Sequence, residues 1–94
     1  MGFEIHKTDN SVEVTGLIKS IAQAEAVIEA LKSLNSNNIR LRIKDSFGLP
    51  SSIIGYLVKL KDEGKNITLE VGSPILYELL EDLNLQEIFR IRKI

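Results

Sequence analysis

The segment that decides the fold spans residues 39–60 and reads IRLRIKDSFGLPSSIIGYLVKL. Its first part alternates apolar and cationic residues, which is typical of a strand with one buried face. Its last part, from Ile53 onwards, places apolar residues at helical spacing and indicates an amphipathic helix. The loop between them contains three serines. The segment therefore predicts a strand, a polar loop and a helix, and we expect any functional site within residues 45–52.

The alternation in the strand of residues 39–44 also predicts how the sheet is covered. A strand that has helices on both faces is apolar almost throughout, whereas this strand carries a cation at every second position. The sequence therefore predicts helices on one face of the sheet and an open polar surface on the other. The apolar positions are Ile39, Leu41 and Ile43, and the cationic positions are Arg40, Arg42 and Lys44.

The flanking segments complete a single α/β domain over residues 1–94. Residues 3–7 and 12–15 alternate around a turn and predict an antiparallel hairpin. A helix follows from Ser20, where Gln23 is placed to complete a capping box, and it is expected to end in residues 35–38.

After the serine loop, the second helix is expected to end near Gly64, a natural residue for the position after a helix. Residues 67–71 alternate as a strand, and Ser73 with Pro74 marks the start of a third helix. Residues 88–94 alternate loosely and predict a possible short edge strand. The expected order is ββαβαβα with that possible C-terminal strand, in a mixed sheet with helices packed on one face.

The periodicity also assigns the buried and exposed sides of these elements. The third helix is expected to bury Leu76, Leu79, Leu80 and Leu83. The open face of the sheet carries both acids and bases, so ion pairs are expected to cross between its strands. The residues expected on that open face are Glu4, His6, Glu13, Arg40, Arg42, Thr68 and Glu70.

Composition narrows the classes of function. The net charge of -1 gives no reason to expect a nucleic acid or a membrane as partner. The chain has no Cys, which excludes disulfides and thiolate metal sites and fits a cytoplasmic protein. The single His, His6, has no acid–base partner nearby in the sequence. Asp45 with Ser46 and Ser51 does not form a nucleophile triad, because no His or Lys is placed to act as its base. We therefore expect no catalytic, cofactor or metal site, and a protein that is not an enzyme.

With this order of elements, the chain resembles the STAS domain family, the fold of the bacterial anti-sigma factor antagonists, over about residues 3–89. In that family a strand leads into a loop with Asp-Ser-Ser-Gly-Leu, followed by a helix, a Gly, a strand and a segment ending Gly-Leu-x-x-x-Phe. Residues 75–89, ILYELLEDLNLQEIF, are similar to the last segment. Asn84 stands at the position of its Gly, a suitable replacement because Asn tolerates the left-handed conformation.

The serine loop aligns with the family pattern in two registers. In the favoured one, residues 51–57 lie on Ser-Ser-Gly-Leu-Gly-x-Leu, with Pro50 in place of the Asp and Ile53 in place of the first Gly. It runs back into the strand without a gap. In the other, residues 45–49, DSFGL, lie on Asp-Ser-Ser-Gly-Leu, but residues must be deleted before the motif and inserted after it.

The resemblance implies a function as well as a fold. In the antagonists, the first Ser of the motif is phosphorylated by a partner anti-sigma factor that is a serine kinase, and the phosphate blocks binding. Here that residue is Ser51 in the favoured register or Ser46 in the other. The resemblance thus implies a regulatory protein–protein interaction module that docks a partner through loop 45–54 and the following helix. The expected docking residues are Asp45, Phe47, Pro50, Ser52 and Ile53.

Other interpretations of the same residues stay open at this point. Ser51 or Ser52 as a plain N-cap would satisfy a first-turn N–H. Phe47 and its neighbours either contact a partner or fold back over the core. The alternative function is a non-phosphorylated structural or assembly subunit with a STAS-like fold, and the oligomeric state stays open.

Overall fold

The computed structural model describes residues 2–94. It contains the predicted hairpin, three helices and two further strands, and the C-terminal edge strand is present as well. A short 3₁₀ turn at Leu85–Glu87 precedes that last strand. The elements are β1 (Glu4–Lys7), β2 (Ser11–Thr15), α1 (Ile21–Lys32), β3 (Asn38–Ile43), α2 (Ser51–Asp62), β4 (Asn66–Val71), α3 (Pro74–Asp82) and β5 (Arg90–Lys93).

The five strands form one mixed sheet in the order β1-β2-β3-β4-β5. β1 is antiparallel to β2, and every other neighbouring pair is parallel. Right-handed crossovers that always step to the next strand place all their helices on the same face of a sheet. Burial agrees, because Val12, Leu41 and Leu69 on one face are fully enclosed while Arg40 on the other is exposed. The prediction of helices on one face is thus confirmed.

One continuous core lies between this face and the three helices. It is built almost entirely from Ile, Leu and Val side chains, as the low aromatic content requires. Its largest fully enclosed members are Leu31, Leu41, Ile43, Ile53, Leu57, Leu69, Leu76 and Leu80. Across residues 2–94, no helix has the length and apolarity that crossing a membrane would require.

Local capping explains where α1 and α3 begin. Ser20 accepts a hydrogen bond from the Gln23 N–H at 3.1 Å, and the Gln23 side chain accepts one from the Ser20 N–H at 3.2 Å. Ser73 caps α3 and Pro74 occupies its first position, as predicted. The predicted end of α1 was wrong: the helix stops at Lys32, because the N–H groups of Ser33 and Leu34 donate to carbonyls three residues back and not four.

The end of α2 is closed by a Schellman motif centred on Gly64. Gly64 has a φ of +93° and donates its N–H to the Lys61 carbonyl at 3.0 Å. The next residue, Lys65, donates to the Leu60 carbonyl at 3.1 Å. These two bonds satisfy carbonyl groups that the helix leaves free, and they need a residue in the left-handed region. The prediction for Gly64 is confirmed.

The open face of the sheet carries a row of alternating charges. Register places Glu13, Arg42, Glu70 and Arg92 side by side on β2, β3, β4 and β5. The Arg42 Nε lies 3.1 Å from the Glu70 Oε1, and the Arg42 Nη1 lies 3.7 Å from the Glu13 Oε2. Arg40 also approaches Glu70, at 3.7 Å. The predicted cross-strand ion pairs are confirmed, and the two arginines cover Glu70 so well that only 5% of it is exposed.

Candidate functional site

The serine loop lies at the edge of the domain where the parallel strands end and all three helices begin. β3 ends at Ile43 and α2 begins at Ser51, so residues 44–50 cross that edge. In open α/β sheets, ligands are commonly bound outside the carboxyl ends of the strands. The predicted site therefore occupies the edge of the fold where binding sites usually occur.

Asp45 and Ser46 tie this loop to the loop that follows β2. The Asp45 Oδ2 accepts a hydrogen bond from the Gly16 N–H at 2.8 Å. The Ser46 hydroxyl accepts one from the Ile18 N–H at 3.2 Å and donates to the Gly48 carbonyl at 2.8 Å. Ser46 is only 2% exposed. Its hydroxyl therefore supports the loop structurally and is closed to a partner.

Ser51 and Ser52 lie in a different environment. They are the first two residues of α2, both exposed, and the N-cap is Pro50, with no side-chain cap within residues 2–94. Capping by either serine was therefore wrong. The reason is that Pro50 has the extended backbone of a cap residue, and its carbonyl accepts from the N–H groups of Ile53 and Ile54 at 3.0 and 3.3 Å.

This arrangement leaves polar groups free at the start of α2. The N–H groups of Ser51 and Ser52 find no acceptor in the part of the chain that the structure describes. They add to the partial positive charge at a helix N-terminus. Two exposed hydroxyls therefore stand next to two unpaired backbone donors.

The other predicted docking residues divide between surface and core. Phe47 is 57% exposed, whereas Leu49, two residues later, is buried. The tip of the loop thus sends one apolar side chain outwards and one into the core. Asp45 is exposed and Pro50 is half-buried, but Ile53 is fully enclosed and presents no surface to a partner.

Further exposed apolar residues lie on α3. Ile75, Leu79 and Leu83 are 66%, 40% and 53% exposed and follow one another at intervals of four residues. The prediction that Leu79 and Leu83 are buried was wrong. Only Leu76 and Leu80 of this helix are enclosed, because they alone lie at the centre of its core-facing side. These three side chains therefore form an exposed apolar flank along α3.

Among residues 2–94, no three His, Cys, Asp or Glu side chains converge as metal ligands would. His6 lies at the outer strand β1, where its Nε2 is 3.4 Å from the Glu4 carboxylate. What the edge beside α2 does offer is exposed hydroxyls, unpaired N–H groups and an outward Phe47. These groups suit recognition of another surface.

The chain matches no protein-family model and no curated protein sequence.

Proposed function

We propose that this chain is a STAS-like regulatory protein that binds a protein partner through loop 45–54 and α2. The order of its elements, the parallel crossovers and the single helix layer support this assignment. Asn84 supports it further, because it adopts φ 58° and ψ 28° at the position where the resemblance expects a Gly.

The observation that carries the proposal is the position of Ser51. It is the first residue of α2 and its side chain lies at the surface beside unpaired N–H groups. Ser46, the other candidate, is enclosed and has both a donor and an acceptor. The geometry favours the register in which Ser51 is the switch residue.

A phosphate on Ser51 would act through charge and hydration. It adds close to two negative charges, which the free N–H groups and the helix dipole stabilise. Burying such a group against a partner costs several kcal/mol in desolvation unless the partner supplies matched cations. The unmodified protein therefore binds its partner, and the phosphorylated protein stays unbound. The proposed partner is a protein of the anti-sigma factor type that has serine kinase activity. Docking to it does not require the phosphate.

Affinity capture from an extract of the source cells tests the docking surface. We expect wild-type protein to retain one partner species, and Phe47→Ser and Ser51→Asp to lose it. His6→Ala serves as the matched control, because His6 is exposed on β1 at the far edge of the sheet. Retention by both loop variants would refute docking at this site.

Mass spectrometry after incubation with the captured partner and ATP tests the switch. We expect one phosphate on Ser51, none on Ser46, and none on a Ser51→Ala variant. A phosphate on neither serine would refute the switch and leave docking intact.

The alternative function is a non-phosphorylated assembly subunit of the same fold. The observation that favours it is the exposed apolar flank of α3, which extends well beyond the serine loop. Light scattering separates the two functions: a stable oligomer that captures no partner favours assembly.

A further inference from the structure

We propose that the outer edge of β5 binds an extended acidic segment of another protein, which adds to the sheet as a sixth strand. The segment carries Glu or Asp at alternate positions, opposite Arg90 and Arg92. This surface is separate from loop 45–54 and α2, so the inference goes beyond the proposed function.

The backbone of β5 has a free side. Within residues 2–94, β5 is the last strand of the sheet and pairs only with β4. The Ile94 N–H donates to the Val71 carbonyl of β4 at 2.9 Å. Because the N–H groups of a strand point alternately to its two sides, those of Ile91 and Lys93 face away from β4. They are therefore placed to pair with a further strand.

The open-face side chains of β5 are both cations without a partner. Register places Arg90 beside Thr68 and Arg92 beside Glu70. Both arginines are exposed, and neither forms an ion pair among residues 2–94. Glu70 is already covered by the two arginines of β3, and β5 itself contains no acid. This side of the edge strand therefore presents two unpaired positive charges.

A concave surface beside the start of β5 adds to this positive charge. It is a cavity of about 730 Å³, and its lining includes three cations, Arg40, Lys61 and Arg90, and one acid, Glu87. The excess of cations attracts a carboxylate that approaches along the start of β5.

The other side of β5 selects for an apolar residue between the acids. Ile91 lies between the two arginines in the sequence, points to the helix layer and is half-buried. Beyond it, the Lys93 Nζ lies 5.2 Å from the centre of the Tyr77 ring. Glu81 follows Tyr77 by four residues and shares its flank of α3, so the charges on this side are mixed. The preference for acids therefore comes from the open face, and the pattern that complements β5 is acid, apolar, acid.

A second copy of this chain is a poor occupant. Two β5 edges would bring Arg90 and Arg92 against the same arginines, and like charges opposite each other destabilise a strand pair. β1, the other edge strand, carries a single acid, Glu4, together with His6 and Lys7. It therefore lacks acids at alternate positions. Charged edge strands of this kind prevent sheets from pairing with their own copies.

Titration of the isotope-labelled full chain with a blocked synthetic peptide of alternating Glu and Val, followed by NMR, tests the proposal. We expect chemical-shift changes concentrated in β5 and slower hydrogen exchange of the Ile91 and Lys93 amides. A peptide with Lys in place of every Glu should bind at least about tenfold more weakly.

Charge reversal on the protein supplies the matched pair of variants. Arg90→Glu should weaken binding of the Glu peptide by about tenfold and should strengthen binding of the Lys peptide, which a misfolded variant would not do. Lys59→Glu makes the same change of charge at an exposed position of α2 and should alter either affinity by less than about twofold, because salt screens distant charges.

Backbone methylation separates strand addition from charge attraction alone. Of two Glu peptides methylated on either set of alternate backbone nitrogens, the one whose methyl groups face β5 should lose binding and the other should keep it. Equal binding by these two peptides, equal affinity for the Glu and Lys peptides, or shift changes confined to loop 45–54 would each overturn the proposal. Self-association of the free chain that shifts the β5 amides would also overturn it, because a second copy would then occupy the edge.

Discussion

Replacing Gly55 with alanine is expected to stabilise the protein and to weaken the binding of the proposed protein partner at α2. Gly55 lies in the interior of a twelve-residue helix, and a Cβ there meets nothing within 4 Å. The substitution therefore adds helix propensity without a clash. The gain is about 0.8–1 kcal/mol, from the cost of ordering glycine and from the reduced freedom of the unfolded chain.

Gly64, which lies two residues after the end of the same helix, supplies a matched control. An added Cβ there also meets nothing within 4 Å, but its φ of +93° is one that side chains rarely adopt. The left-handed region costs about 1–2 kcal/mol for alanine, so Gly64→Ala should lose about 1 kcal/mol after the gain in the unfolded state is subtracted. The two variants should differ by about 2 kcal/mol, although both add one methyl group to open space.

Urea unfolding followed by circular dichroism measures both free energies, and calorimetry gives the melting temperatures. For a domain of this size, 1 kcal/mol corresponds to a shift of about 4–8 °C. Gly55→Ala should melt higher and Gly64→Ala lower than wild type. Equal shifts, or a destabilised Gly55→Ala, would refute the backbone reasoning. Weaker capture of the partner by the stabilised Gly55→Ala variant would separate the role of Gly55 in docking from its role in folding.

Three other substitutions probe the structure around the site. Ser46→Ala should cost about 1–3 kcal/mol, because it leaves a buried N–H without an acceptor, whereas Ser51→Ala at the exposed helix start should stay within about 0.5 kcal/mol in the same urea titration. Glu70→Gln should cost about 1 kcal/mol, less at high salt, since its two arginine partners are partly solvated. Gly72→Ala should cost more than about 2 kcal/mol, measured by calorimetry, because the new Cβ collides with the Lys44 carbonyl oxygen; an unchanged melting temperature would contradict that close approach.

Features set by neighbouring residues could be predicted from the sequence. The capping box at Ser20, the Ser73–Pro74 helix start and the left-handed residues Gly64 and Asn84 each depend on residues a few positions apart. Alternation in β3 also predicted the one-sided helix layer, because it reports directly which face of a strand is covered.

Features that depend on distant parts of the chain were missed. Ser46 is buried where its hydroxyl accepts a hydrogen bond from Ile18, which precedes it by 28 residues. No pattern among the neighbours of Ser46 in the sequence predicts this contact. The exposure of Leu79 and Leu83 depends on which neighbouring elements cover this helix, which periodicity alone does not encode. Pro50 as the cap of α2 was missed because its contribution is a carbonyl and a fixed φ, and side-chain rules for caps favour Ser.

Site-specific photo-crosslinking in the source cells tests the docking claim most directly. A photoreactive benzoylphenylalanine in place of Phe47 keeps an aromatic side chain at the tip of the loop, and the same residue in place of His6 serves as the control on β1. We predict one discrete covalent adduct from position 47 and none from position 6. An adduct from position 6 alone, or none from position 47, would contradict docking through the loop and α2.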